Sequence, residues 1–124
     1  MVSIVSRGAT RSLAEALLEV LVQYNADAYR RGGLRRIDEL PLIYRPDERQ
    51  PVITLVAADM LQGQRIVSCG SAAGAWAGWH RAQGRNAHGK LLERDNGMFH
   101  AIAIVDGVTW DPATQLRRDA RAWM

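Results

Sequence analysis

The sequence predicts an α+β fold, with an N-terminal helix and a Cys-bearing helix packed on a small antiparallel β-sheet. Three observations carry this expectation. Apolar residues recur with helical spacing between residues 12 and 31. A second segment, 71–83, stops at Gly84, and Gly70, Gly74 and Gly78 recur every four residues. Downstream, "KLLERDNGMFHAIAIVDGVTWDP" contains Asn96-Gly97 and Asp106-Gly107, each flanked by apolar residues. Such dipeptides between apolar runs are strong signals for two-residue hairpin turns.

Composition bounds the reading. A chain of 124 residues fits a single domain spanning 1–124. A hydrophobic fraction of 48% is enough for a real core. No apolar run approaches the roughly 20 residues of a membrane span, so no membrane partner is expected. The start "MVSIVSRGATRS" lacks the charged lead and long apolar stretch of a signal peptide. A cytoplasmic location is therefore expected. The formal charge of +3 is mild, and the basic clusters at 30–36 and 117–121 read as solvated surface rather than a nucleic-acid patch. The single cysteine allows neither an internal disulfide nor a cysteine-based zinc site. Three histidines at no close ligand spacing give no metal signal, and no cofactor is expected.

In chain order, residues 12–31 form the first helix. Ser12 and Glu15 have capping-box spacing. Leu13, Leu17, Val20, Leu21, Tyr24 and Ala28 share one face, and Glu15, Glu19, Gln23, Asp27 and Arg31 step along the opposite one. Asp27 and Arg31 make an i,i+4 pair, and Gly32-Gly33 ends the helix. Residues 34–53 hold three prolines in eleven residues and read as an extended connection. A short helix over 54–63 follows, with Thr54 as cap and Gly63 as stop.

The helix over 71–83 takes Ser68 or Ser71 as cap. Gly74 and Gly78 each cost about 1 kcal/mol inside a helix. Close approach to another backbone is the simplest offset, with the helix lying tightly on a sheet. That sheet is a meander near 88–94, 98–105 and 108–112. The tail from 113 to 124 reads as a short helix.

The hairpin register carries the functional argument. With Asp106 and Gly107 as turn residues, Val105 faces Val108, Ile104 faces Thr109 and Ile102 faces Asp111. Opposed residues share a face, as do residues two apart. His100, Ile102 and Asp111 then lie on one face, while Phe99, Ala101, Ala103, Val105, Val108 and Trp110 form an apolar face. An imidazole beside a carboxylate makes an oriented base. Cys69 stands where the glycine-ridged helix begins, and a helix N-terminus favours a thiolate. If that helix packs on the His/Asp face, Cys69 meets His100.

Competing readings stand beside this one. If Asn96-Gly97 is a two-residue turn, Glu93 lies directly opposite His100 and could orient it instead of Asp111. A one-residue bulge at either turn would exchange the faces. A lone cysteine is most often a small buried hydrophobe, a lone histidine is most often structural, and Asp-Pro is a common turn opening. His80, on the polar side of the Cys helix, and His88, in a loop-like stretch, read as surface residues. Trp76 and Trp79 read as core or cleft walls.

The order of Cys at a helix start, His on a strand and Asp on the next strand resembles the transglutaminase-like superfamily, circularly related to papain-like cysteine peptidases. The stretches that carry the likeness are "DMLQGQRIVSCGSAAGAWAGWHRAQG" and "FHAIAIVDGVTWDPATQLRR", with the weaker "LPLIYRPDE" before them. They cover roughly residues 37–118. The resemblance implies a papain/transglutaminase-like fold and acyl transfer through a Cys69 thioester, with His100 as base and Asp111 as orienter. Its partner would be a peptide or protein substrate. Small members of the group are often encoded by bacteriophages and prophages. The alternative is thus a catalytically silent, virion-associated structural or assembly protein whose partners are phage structural proteins.

Overall fold

The computed structural model describes residues 11–32, 43–44, 66–67, 69–93 and 99–118. Its elements in chain order are α1 (Arg11–Arg30), β1 (Ile43–Tyr44), β2 (Ile66–Val67), α2 (Cys69–Ala82), β3 (Ala87–Glu93), β4 (Phe99–Val105), β5 (Val108–Trp110), α3 (Pro112–Gln115) and β6 (Arg117–Arg118). The expected short helix at 54–63 and the Asn96-Gly97 turn lie outside the described residues. The architecture is α+β: α1 and α2 pack together and lie on the antiparallel sheet β3-β4-β5. Among the described residues no helix is long and apolar enough to cross a membrane.

The β4–β5 hairpin follows from its turn. Asp106 and Gly107 stand at φ 48° and 80°. Two consecutive positive φ values make the two-residue turn whose twist matches that of the flanking strands. Val105 pairs with Val108, Ile104 with Thr109 and Ala103 with Trp110, as the turn requires. On the other side Ala101 pairs with Leu91, Gly89 with Ala103 and Ala87 with Val105. These register lines put Ala87, Gly89, Leu91, Ala101, Ala103 and Trp110 on one face. That face is the core, joined by Ala72, Ala73, Ala75 and Ala77 of α2 and by Ala14, Leu18 and Val22 of α1. Val108, expected in the core, is 69% exposed at the hairpin end.

The glycine ridge does seat another backbone closely, but the partner is α1 rather than the sheet. A Cβ at Gly78 would lie 2.5 Å from Asn25 Cβ and 2.8 Å from the Val22 carbonyl oxygen. At Gly74 it would meet the Leu21 side chain, 2.7 Å from Cγ. The alanines of α2, on the adjoining face, lie on the strands. Small residues on two faces of α2 thus let both α1 and the sheet approach it closely.

This stack also decides which face of α1 is buried. Ala14, Leu18, Leu21, Val22, Asn25, Ala26 and Ala28 are buried. Leu13, Val20 and Tyr24, expected on the core face, are 47%, 59% and 46% exposed. Both stripes are apolar enough to attract the core. Only the 14/18/21/25 stripe presents Leu18 to Gly89 and Leu21 to Gly74. Asn25 is held there by donating from Nδ2 to the Leu21 carbonyl at 2.8 Å.

The helix ends also depart from expectation in part. Ser12 lies inside α1 and exposed, and Glu15 accepts from Arg11 Nε at 3.0 Å, so no capping box forms there. Asp27 pairs with Arg30 at 3.2 Å rather than with Arg31. Gly32 and Gly84 follow α1 and α2 at positive φ, as expected of helix stops. The tail is not one helix. The four-residue α3 gives way at Leu116 to β6, which pairs parallel with β1. β1 pairs parallel with β2 on its other side, so Ile66–Val67 leads toward Cys69 from a second small sheet.

One cross-element clamp had no sequence signal. Arg81 of α2 donates from both terminal nitrogens to the Glu19 carboxylate of α1, and from Nε and Nη2 to the Ala87 carbonyl that opens β3. The mutual hydrogen bond raises the Arg81 pKa and lowers that of Glu19.

Candidate active site

Cys69 is the first residue of α2 and is half-buried. The helix begins earlier than the expected Ser71, which lies inside α2 and is buried; Ser68 is outside the described residues. The start of α2 thus gives the sulfur the partial positive charge of unpaired helix N–H groups.

The sulfur sits at a defined point on the sheet. In an antiparallel ladder, alternate residues turn their N–H and C=O groups toward the same neighbour. The pairs Val105–Val108 and Ala103–Trp110 direct the odd-numbered residues of β4 toward β5, and the next of them is Ala101. Its partner in register would be Pro112. There the chain has already left the sheet, with Asp111 as the N-cap of α3 and Pro112 as its first residue. The Ala101 N–H instead donates to Cys69 Sγ at 3.5 Å. Cys69 therefore occupies the edge of β4 that β5 has vacated.

This corrects one expectation. α2 does not cover the His/Asp face. It covers the apolar face, because that is where alanine, leucine and tryptophan need to leave water. The sulfur approaches His100 around the open edge of β4, near enough to act on the imidazole pKa.

His100 lies on the other face with Ile102, both buried. Its Nε2 stands 2.7 Å from Asp111 Oδ1, with the imidazole 7% and the carboxylate 30% exposed. The same Oδ1 accepts the Ala113 N–H at 2.9 Å. The turn-opening reading of Asp111-Pro112 and the orienting reading are therefore both satisfied by one oxygen.

The electrostatics favour a charged ring. Burial opposes the imidazolium and is the largest single influence on His100. The hydrogen bonds to Cys69 and Asp111, with the charges on both, outweigh it and raise the His100 pKa. A raised native pKa adds stability that is complete below the unfolded value of about 6.5 and is lost as pH rises through the native value. The parent's stability advantage over His100→Gln, from urea unfolding at a series of pH values, is thus expected to be larger at pH 6 than at pH 9. An advantage that grows with pH would contradict the charged ring.

The rival groups are elsewhere. Leu92, not Glu93, pairs with His100, and Glu93 pairs with Phe99. The register is displaced by one residue from that of a two-residue Asn96-Gly97 turn, which moves Glu93 to the opposite face. There it lies 3.7 Å from Arg11. His88 is exposed, on strand β3 rather than in a loop. His80 is half-buried against the Trp76 and Trp79 rings, with Arg85 Nη1 2.9 Å from its Nδ1. Trp76 stacks on Trp110, with centroids 4.6 Å apart and planes at 7°. Among the described residues no three His, Cys, Asp or Glu side chains gather as a metal-binding group.

The Ala101 N–H is the member that sequence reasoning missed. The available signal was Pro112, which cannot donate to a ladder and so marks where β5 must stop. No family model, curated protein or solved structure matches the chain.

Proposed function

We propose that the chain is a cysteine-dependent acyl-transfer enzyme of the transglutaminase-like or papain-like kind, a peptidase, amidase or cross-linker. The observation that carries this reading is the meeting of Cys69, His100 and Asp111 at the β4 edge, with the imidazole between sulfur and carboxylate. The order of the three residues along helix, strand and following loop supports the resemblance drawn from the sequence.

The chemistry follows from the groups. An imidazolium beside the sulfur and a helix N-terminus beneath it favour thiolate over thiol. The thiolate attacks the acyl carbonyl of a peptide or protein substrate. His100 gives its proton to the departing amine, and a Cys69 thioester remains. His100, now neutral, takes a proton from water or from an acceptor amine, which attacks the thioester and releases the sulfur. Asp111 holds the ring and balances its charge in both halves.

The experiment uses p-nitrophenyl acetate as a small acyl donor. The parent is expected to release a burst of p-nitrophenolate and to carry one acetyl group on Cys69 by mass spectrometry. Cys69→Ala is expected to fold normally, losing about 1 kcal/mol or less, and to show neither burst nor acetylation. An intact parent with no burst, and a Cys69 thiol that resists alkylation until unfolding, would instead fit a silent structural protein.

A further inference from the structure

We infer that the backbone N–H of Ala101 is a second catalytic donor to the Cys69 sulfur, selecting its ionised form alongside His100. This rests on the acyl-transfer reading and adds a group to it. The argument begins with a buried backbone donor, which must find an acceptor. Ala101 is 2% exposed, so bulk water does not serve. A continued β5 would offer the Pro112 carbonyl, but that oxygen accepts the Leu116 N–H at 3.2 Å inside α3. What remains at the N–H is Cys69 Sγ. A neutral thiol is a weak acceptor, whereas a thiolate makes a charge-assisted bond of about twice the ordinary strength. Ionisation of Cys69 therefore satisfies a donor that the neutral thiol serves poorly. The early exit of the chain at Asp111-Pro112 thus does two things at once: it swings the carboxylate to His100, and it leaves the Ala101 N–H for the sulfur.

The test removes the N–H, with a weaker carbonyl acceptor at residue 100 as its side effect. Ala101 is replaced by its α-hydroxy-acid analogue, which turns the 100–101 amide into an ester. The same replacement at Ala103, which faces β5 instead of the sulfur, controls for a weakened strand. The readout is thiolate absorbance at 240 nm against pH, with Cys69 the single thiol. The Ala101 ester is expected to raise the titration midpoint by about one pH unit, a tenfold loss of thiolate below the midpoint, while the Ala103 ester leaves it in place. An unmoved midpoint in the Ala101 ester, or equal shifts in both, overturns the inference. A parent midpoint equal to that of the urea-unfolded chain overturns the acyl-transfer reading itself. If the ester chains do not fold, His100→Gln provides the second measurement. It keeps the N–H and loses the imidazole, so the N–H and the start of α2 together are expected to hold its native midpoint below its own unfolded midpoint. A native midpoint at or above the unfolded one overturns the role of Ala101.

Discussion

Asp111→Asn is expected to slow acyl transfer by about 10²–10³ and to slow Cys69 alkylation near neutral pH. The comparable replacement in the serine-protease triad costs about 10⁴ in turnover. Asp111 is 30% exposed at the side chain, so water screens part of its charge and a smaller loss follows. The fold should survive, because an asparagine oxygen caps a helix as well as an aspartate oxygen and can still accept the Ala113 N–H. What asparagine lacks is the charge that offsets the imidazolium. The variant's alkylation rate against pH should therefore lose its neutral-pH shoulder while its circular dichroism matches the parent. Glu93→Gln is the control. It faces away from His100 and pairs weakly with Arg11, so both rates should hold. A Glu93 variant as impaired as the Asp111 one would reject Asp111 as orienter.

The largest effect on the fold should come from Gly78→Ala. Alanine gains about 1 kcal/mol of helix propensity over glycine. Its Cβ would lie 2.8 Å from the Val22 carbonyl oxygen and 3.0 Å from the Ala26 nitrogen, and neither backbone atom can swing aside. Overpacking of this kind costs roughly 1–3 kcal/mol, and backbone contacts belong at the upper end. A net loss of about 2 kcal/mol is expected in urea unfolding. Gly74→Ala should cost less, since its obstacle is the flexible Leu21 side chain. Equal or greater stability for Gly78→Ala would mean that α1 and α2 do not approach as described.

The local elements were legible because local chemistry makes them. Asp106-Gly107 tolerates the positive φ values of a two-residue turn, and that turn alone pairs Val105 with Val108 and puts His100 on the face toward which Asp111 leaves. The helix at 11–30 and its glycine stop were equally plain. The two-residue strands β1, β2 and β6 were not, because two residues display no period, and parallel partners lie far apart in sequence.

By itself the sequence determined the hairpin turn, the face that carries His100 and the presence of a glycine ridge on the cysteine helix; Asp111, expected opposite Ile102 on the last strand, instead leaves the sheet after Trp110 and caps α3. Tertiary structure decided the rest. Two apolar stripes on α1 compete for the core, and Gly74, Gly78 and Gly89 admit only the one carrying Leu18, Leu21 and Asn25. Glu93 lost its place opposite His100 through a one-residue difference in register. Cys69 meets His100 around a strand edge, since the apolar face of the sheet must bury α2 and the polar groups are left to converge where β5 ends. Hydrophobic periodicity says which residues seek the interior, but which surface receives them depends on the shape of the opposing element, and that shape exists only once the chain has packed.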